Sequence, residues 1–207
     1  STWVAFRTNW LVLIGNTGCA GLLWLYSTTF KRKLLSGNII ISLLTAWVVL
    51  VLYVAVNDDH IRIGTSSDAS VEAMKGIFKY AVLYAGFAFI ISLIREVVKD
   101  IEDIRGDERY ECRTMPIVWG IPAAKVFAGV WMVVLTGAVL VLFGYMLLSG
   151  WWLAALYALF LLILPLVHIQ QLFYRAQDAA DYHKVSSWVK GVMLLGILSM
   201  LAIAYHF

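Results

Sequence analysis

Six apolar runs, each about as long as a membrane-crossing helix, dominate this sequence of 207 residues. About 20 helical residues cross the hydrocarbon core of a bilayer, which is roughly 30 Å thick. Lipid offers the backbone no hydrogen-bond partner, so only helices and closed barrels can span it, and no run alternates in polarity as barrel strands do. The sequence therefore predicts an all-α, multi-pass transmembrane helix bundle. The predicted spans are residues 10–26, 39–56, 76–94, 126–148, 151–169 and 186–205.

The composition agrees with a membrane protein. Hydrophobic residues make up 62% of the chain and charged residues only 14%, whereas soluble domains average about 25% charged residues. Cys19 and Cys112 cannot form a disulfide framework, and they lack the paired spacing of a zinc site. The short turn at Ser149 and Gly150 predicts that the fourth and fifth spans form an antiparallel pair. We expect membrane lipid, and no nucleic acid, among the partners.

The distribution of Lys and Arg predicts the orientation of the chain. With six crossings, twelve of the 16 Lys and Arg residues fall on the side of the loops after the first, third and fifth spans. Because positive residues accumulate on the cytoplasmic side, we expect those loops in the cytoplasm and both chain ends outside. We expect the inner membrane of a bacterial or archaeal cell. The acidic pair Asp58 and Asp59 would lie on the opposite face, as part of a solvated turn.

One predicted cytoplasmic loop is unusually acidic. Residues 95–116, REVVKDIEDIRGDERYECRTMP, carry seven carboxylates and five basic groups. If the third helix continues, Glu96, Asp100 and Asp103 lie within a stripe about 60° wide, and Asp107 follows Gly106, where the helix can break. A solvated, salt-bridged helix end is the alternative interpretation. Stacked like charges repel one another, however, so the spacing favours a bound cation.

Mg²⁺ is the natural candidate for that cation. It takes oxygen ligands and is commonly held by one or two carboxylates while it bridges to substrate phosphates. The interleaved Lys and Arg residues would suit phosphate oxygens as hydrogen-bond donors. A second cytoplasmic stretch, YSTTFKRK at residues 26–33, places three consecutive cations at the membrane surface. It indicates either an anionic substrate or contact with lipid head groups.

These residues resemble the UbiA superfamily of intramembrane polyprenyltransferases. The family motif DxxDxxxD is matched by Asp100, Asp103 and Asp107 in the segment KDIEDIRGD, and the segment closes with RTMP at residues 113–116. A family stretch of the form YS…KR followed by Gly-Asn is similar to residues 26–38, and the segment YHKVS at residues 182–186 is similar as well. Glu111 stands where many members have glycine.

The resemblance implies nine helices and a first aspartate motif, NDxxDxxxD, which this sequence does not contain. We therefore expect residues 1–207 to be a single transmembrane prenyltransferase domain, truncated at its N-terminus and corresponding to the last six helices. The resemblance also implies the site residues. It implies metal ligands at Asp100, Asp103 and Asp107, catalytic cations at Lys31 and Arg32, and substrate-binding residues at Tyr26, Glu96, Lys99, Arg105 and Arg109.

The implied reaction is the Mg²⁺-dependent transfer of a polyprenyl group from an allylic polyprenyl diphosphate to an acceptor. The acidic stretch is most similar to that of the geranylgeranylglycerol-phosphate geranylgeranyltransferases, whose acceptor is a prenylglycerol phosphate hydroxyl. An aromatic acceptor of quinone, haem or chlorophyll biosynthesis is the alternative. A transporter or channel is an alternative of another class, but it should carry ionisable groups at mid-helix depth. A CDP-alcohol phosphatidyltransferase would need a DG…AR pairing that is absent.

Overall fold

A computed structural model of the chain describes residues 10–30, 34–62 and 68–204. All regular elements of these segments are helical, which confirms the predicted all-α class. The α-helices are α1 (Trp10–Leu25), α2 (Ser36–Arg62), α3 (Asp68–Glu102), α4 (Ile104–Arg109), α5 (Met115–Val118), α6 (Ile121–Leu148), α7 (Trp152–Tyr157), α8 (Leu164–Arg175) and α9 (Ala179–Ala204). There are also two π-helical segments in the described residues. Tyr26–Phe30 continues α1, and Ala158–Ile163 joins α7 to α8.

A helix forms at each of the six predicted apolar runs. Four helices in the described part of the chain are long and apolar enough to cross a membrane. They are Ser36–Val54, Gly76–Glu102, Ile121–Leu148 and Trp152–Arg175. The first and sixth runs correspond to α1 and α9, whose crossing of the membrane stays a prediction. The protein is thus an integral membrane protein with a helical fold, and the direction in which it faces also stays a prediction.

The chain divides into two compact units, residues 1–92 and residues 93–207. In the first unit, α1 can approach α2 closely because Gly15 has no side chain, and a Cβ atom there would overlap the Trp47 indole. The Oγ atoms of Thr45 and Ser92 lie 3.2 Å apart and link α2 to α3. In lipid, the hydrophobic effect does not drive helices to associate. Close packing at small residues and interhelical hydrogen bonds of this kind stabilise their association instead.

In the second unit, α6 and the helix formed by α7 and α8 are an antiparallel pair, as predicted. The turn between them is closed by backbone bonds, and Gly150 adopts a φ of 76°, a conformation that glycine adopts without strain. Both helices carry small, buried residues, such as Ala128 and Ala155, and such residues let membrane helices pack closely. The Gln170 amide then bridges them by donating to the Met132 carbonyl at 3.1 Å and to the Thr136 Oγ at 2.7 Å.

The π-helical segment Ala158–Ile163 lies directly before Pro165. Proline cannot donate a backbone hydrogen bond, and its ring clashes with the carbonyl one turn earlier. A wider turn before the proline relieves that clash, so the helix continues through to Arg175. At the start of this turn, the Tyr157 hydroxyl donates to the Leu195 carbonyl at 2.7 Å and ties the segment to α9.

Candidate functional site at the acidic stretch

The acidic stretch begins as the last turns of α3. Val97 and Val98 are completely buried and Ile101 is almost so, whereas Glu96 and Asp100 are half-buried and Lys99 is exposed. An apolar face therefore fixes this end of α3 in the second unit, and the acidic stripe lies along its more accessible side. The continuation of the third helix past the predicted span of residues 76–94, which the stripe required, is confirmed as far as Glu102.

The helix breaks at Asp103, three residues earlier than the glycine where the sequence allowed a break. Asp103 has φ −91° and ψ 5°. Its N–H still donates to the Lys99 carbonyl at 2.9 Å, while its own carbonyl accepts from Gly106 at 2.8 Å and from Asp107 at 3.0 Å. The residue thus closes α3 and opens α4, and Gly106 lies inside the short helix. Asp100 and Asp107 are half-buried on the two sides of the break, and Asp103 is exposed.

The loop after α4 is held by its backbone and by buried residues at its end. The Asp107 carbonyl accepts from the N–H groups of Tyr110 and Cys112, at 3.2 and 3.0 Å. Glu111 adopts the left-handed conformation, with φ 53°, which strains any residue that has a Cβ atom. The strain is a physical reason for the glycine that the family resemblance implies at this position. Met115 then anchors the loop, because its side chain is completely buried at the start of α5.

Two carboxylates of the stretch are paired with basic side chains. The Arg95 guanidinium donates to Glu96 at 2.6 Å. Glu102 Oε1 lies 2.7 Å from His183 Nδ1, which joins the end of α3 to the first turns of α9. Asp181 lies close to His183 in sequence, and its carboxyl is exposed. The backbone N–H of Gln177, as the larger cause, and the Lys184 ammonium both lower the pKa of this carboxyl. Sequence similarity singled out the segment around His183, but the partner 81 positions away could not be inferred from it.

The aspartates of the DxxDxxxD motif have the donor chemistry that Mg²⁺ requires. Within residues 10–30, 34–62 and 68–204, no three His, Cys, Asp or Glu side chains lie close enough together to hold a metal ion by themselves. That spacing agrees with the usual way in which Mg²⁺ is bound, through one or two carboxylates, waters and substrate phosphates. Asp100, Asp103 and Asp107 thus offer suitable carboxylates, and whether they share one metal stays a prediction.

The other predicted site residues lie in different parts of the chain. Lys99, Arg105 and Arg109 are exposed on α3 and α4, so their cationic groups reach solvent around the motif. Tyr26 is half-buried at the start of the first π-helical segment, in the other unit. The catalytic cations predicted at Lys31 and Arg32 lie outside the described residues. Whether they meet the acidic stretch stays a prediction.

A second polar region in the same unit was not predicted as a site. The Lys125 ammonium, near the start of α6, donates to the Ala176 carbonyl at 2.7 Å and to the Tyr174 carbonyl at 3.4 Å, at the end of α8. It also lies 5.9 and 5.7 Å from the ring centres of Phe173 and Tyr182. A lysine at the end of a helical span is an ordinary topology signal, which is why sequence reasoning gave it no other role.

Comparison with known proteins gives consistent matches. The UbiA prenyltransferase family matches residues 1–203. A digeranylgeranylglyceryl phosphate synthase of Methanosphaera stadtmanae is 24% identical over 183 residues, which are 87% of this chain and 58% of that protein. The synthase of the same name from Thermococcus sibiricus is 30% identical over 122 residues, which are 59% of this chain and 37% of the relative.

A solved structure of digeranylgeranylglyceryl phosphate synthase in membranes superposes with a TM-score of 0.63, at 21% sequence identity. The match covers 96% of this chain and 63% of that one. At this identity the likeness shows a shared fold. The chain spans between about a third and three fifths of the length of the curated relatives that it matches.

Proposed function

Because the chain belongs to the UbiA prenyltransferase family, we propose that it supplies part of a Mg²⁺-dependent polyprenyltransferase. The donor is an allylic polyprenyl diphosphate, and the acceptor is the hydroxyl of a prenylglycerol phosphate, as in ether lipid synthesis. The observation that carries the proposal is the DxxDxxxD motif, with its aspartates on both sides of a helix break at the end of a membrane-spanning helix. The names of the relatives support the choice of acceptor.

The acidic stretch holds the diphosphate end of the donor. Asp100, Asp103 and Asp107 would hold Mg²⁺, which when bound supplies positive charge next to the diphosphate. The exposed cations of the stretch add hydrogen-bond donors for the phosphate oxygens. These are Lys99, Arg105 and Arg109. As the C–O bond of the donor breaks, negative charge grows on the leaving diphosphate, so groups that neutralise it lower the barrier.

The family resemblance implies three further residues for the proposal. Lys31 and Arg32 provide further positive charge for the leaving diphosphate, and Tyr26 offers a hydroxyl to the substrate. Glu96 orients the Arg95 guanidinium, with which it pairs. The surplus of Lys and Arg on one side supports a site that faces the cytoplasm. The allylic cation would be protected from water by the apolar walls of the membrane helices.

The test is a transfer assay with labelled polyprenyl diphosphate in membranes. The chain is assayed alone and together with the three-helix N-terminal segment of a relative that carries NDxxDxxxD. Each form is offered a prenylglycerol phosphate and an aromatic acceptor, with Mg²⁺ or with a chelator. We expect Mg²⁺-dependent product from the glycerol phosphate lipid in the combined form, and none from the chain alone. Product from the aromatic acceptor only would show that the proposed acceptor is wrong. Absence of product from both acceptors in the combined form would contradict prenyl transfer.

A further inference from the structure

A groove of about 780 Å³ lies between α6 and α8 in the second unit, which is within the roughly 300–1,000 Å³ range of small-molecule sites. Its walls are mostly apolar, with Met132, Val133 and Val167 among them. Its polar groups lie toward the residues that begin α6 and end α8. They are Lys125, Arg175, Gln170, Gln171 and Tyr174. The groove therefore has an apolar length and a polar end, which is the polarity of an amphiphile.

The charge at the polar end has one sign. Lys125 and Arg175 contribute two cations, and no carboxylate is among the described residues that line the groove. Arg175 is exposed, and no described carboxylate forms an ion pair with it. The carbonyls at the end of α8 and two aromatic rings fix the Lys125 ammonium in place. Two of its three N–H groups serve those carbonyls, which leaves one for a ligand.

Two cations match a phosphate monoester better than a phosphate diester. A monoester carries a charge of about −1.5 to −2 at pH 7, whereas a diester carries only one negative charge. Basic pockets between membrane helices are known binding sites for lipid phosphate groups. Gln170 is committed to bridging the two helices, but the exposed Gln171 adds an amide next to Arg175 that can donate to a phosphate oxygen.

We propose that this groove binds a single-chain glycerol phosphate monoester lipid, with its phosphate between Lys125 and Arg175 and its chain along the apolar wall. This identity rests on the proposed function, in which such a lipid is the acceptor. The basic end of the groove and the acidic stretch lie at the same end of the unit, because α6 follows the stretch after Gly120. A lipid held there presents its glycerol hydroxyl at the level of the acidic stretch.

The test is native mass spectrometry of the 207-residue chain in nanodiscs with monooleoyl glycerol phosphate as the probe. Uncharged monooleoylglycerol and free glycerol phosphate are compared with it. Arg175→Gln should weaken binding of the probe about tenfold, the usual value of a charge-assisted hydrogen bond. Arg175→Lys keeps the positive charge and should retain most of the affinity for the probe. Lys190→Gln removes an exposed cation of the same unit outside the groove and should have no effect.

A second pair of variants tests the apolar length. A Cβ atom added at Gly129 or at Gly137 meets no atom within 4 Å, but only Gly129 lines the groove. Gly129→Leu should therefore weaken binding of the probe, and Gly137→Leu, on the same helix, should not. The proposal is overturned if Arg175→Gln binds the probe like Lys190→Gln and Gly129→Leu binds it like Gly137→Leu. It is also overturned if the uncharged lipid or free glycerol phosphate binds as tightly as the probe.

The two proposals fail separately. Asp103→Asn removes a residue of the acidic stretch and should leave binding of the probe unchanged, because the groove does not include it. Intact probe binding by the chain, without prenyl transfer when the chain is combined with the N-terminal segment, would reject the proposed reaction alone. Prenyl transfer with an unchanged KM for the glycerol phosphate lipid in Arg175→Gln would reject the groove as the acceptor site alone.

Discussion

The acidic stretch and the basic groove are two polar regions at one end of the same unit, and they are built in opposite ways. The stretch presents aspartates on both sides of a helix break, with no set of three described acidic, His or Cys side chains close enough to enclose a metal. The groove presents Lys125 and Arg175 beside an apolar wall, without a described carboxylate. Under the two proposals, the first region would bind a phosphate through a metal cation and the second through its own basic side chains.

This difference suggests how a single membrane protein can keep two phosphate-bearing lipids apart. A diphosphate can dock on the aspartates only with a divalent cation, so binding there depends on the metal. A monoester can dock on the lysine and the arginine without any metal. If both proposals hold, a chelator should abolish binding at the first region and spare the second.

The largest effect is expected from the aspartates. Asp100→Asn, Asp103→Asn and Asp107→Asn should each lower prenyl transfer on the order of a hundredfold or more, since each removes a charged oxygen ligand. The measurement is turnover in the form of the protein that is active in the transfer assay. Asp178→Asn, at an exposed aspartate between α8 and α9, is the matched control. Near-normal turnover in Asp100→Asn and Asp103→Asn would reduce the stretch to a solvated helix end.

The second effect concerns the anchor of the acidic stretch. Met115→Ala should lower the free energy of unfolding by about 2 kcal/mol, the lower end of the range for a buried methionine, because a loop can partly close the cavity. Denaturant titration in detergent micelles measures it. Val118→Ala, on the same short helix but half exposed, should cost much less. Equal losses for the two variants would show that Met115 does not anchor the loop.

The sequence predicted the helices well because their signal is local. Apolar length marks a membrane helix, and the stripe of carboxylates marked the continuation of α3 to Glu102. The break was expected near Gly106 but lies at Asp103, because the carbonyl of Asp103 accepts the first bonds of the next helix. The groove and the pair of Glu102 with His183 join residues far apart in sequence. No pattern along the chain encodes such contacts, so only the fold could reveal them.

The strained loop residue gives a smaller effect of opposite sign. Glu111→Gly should raise the free energy of unfolding by about 1 kcal/mol, because glycine adopts φ 53° without a Cβ clash. Glu108→Gly is the control, since Glu108 lies in the helix α4 and the same change there should destabilise by roughly 0.5–1 kcal/mol. The same titration compares both. A loss of stability in Glu111→Gly would mean that its side chain, rather than its backbone, is what the loop requires.

The smallest effect is expected from the pair of Glu102 and His183. The imidazole is largely exposed and the carboxylate is less so, with side-chain exposures of 66% and 19%. An exposed ion pair contributes between zero and about 1 kcal/mol. A double-mutant cycle with Glu102→Gln and His183→Gln should therefore give a coupling energy below about 1 kcal/mol. The cycle is measured by the same denaturant titration.

A local pair supplies the reference for that coupling. Lys184 and Asp181 lie 3.5 Å apart, one turn along α9, and a helical pair of this spacing contributes about 0.2–0.5 kcal/mol. The Glu102 pair joins two helices rather than neighbouring turns, and Glu102 is the less exposed of the two carboxylates, so its coupling should exceed that of the local pair. If the order is reversed, the shorter 2.7 Å contact does not hold α9 against the end of α3. The acidic stretch would then be fixed in the unit by its buried residues, among them Val97, Val98 and Met115.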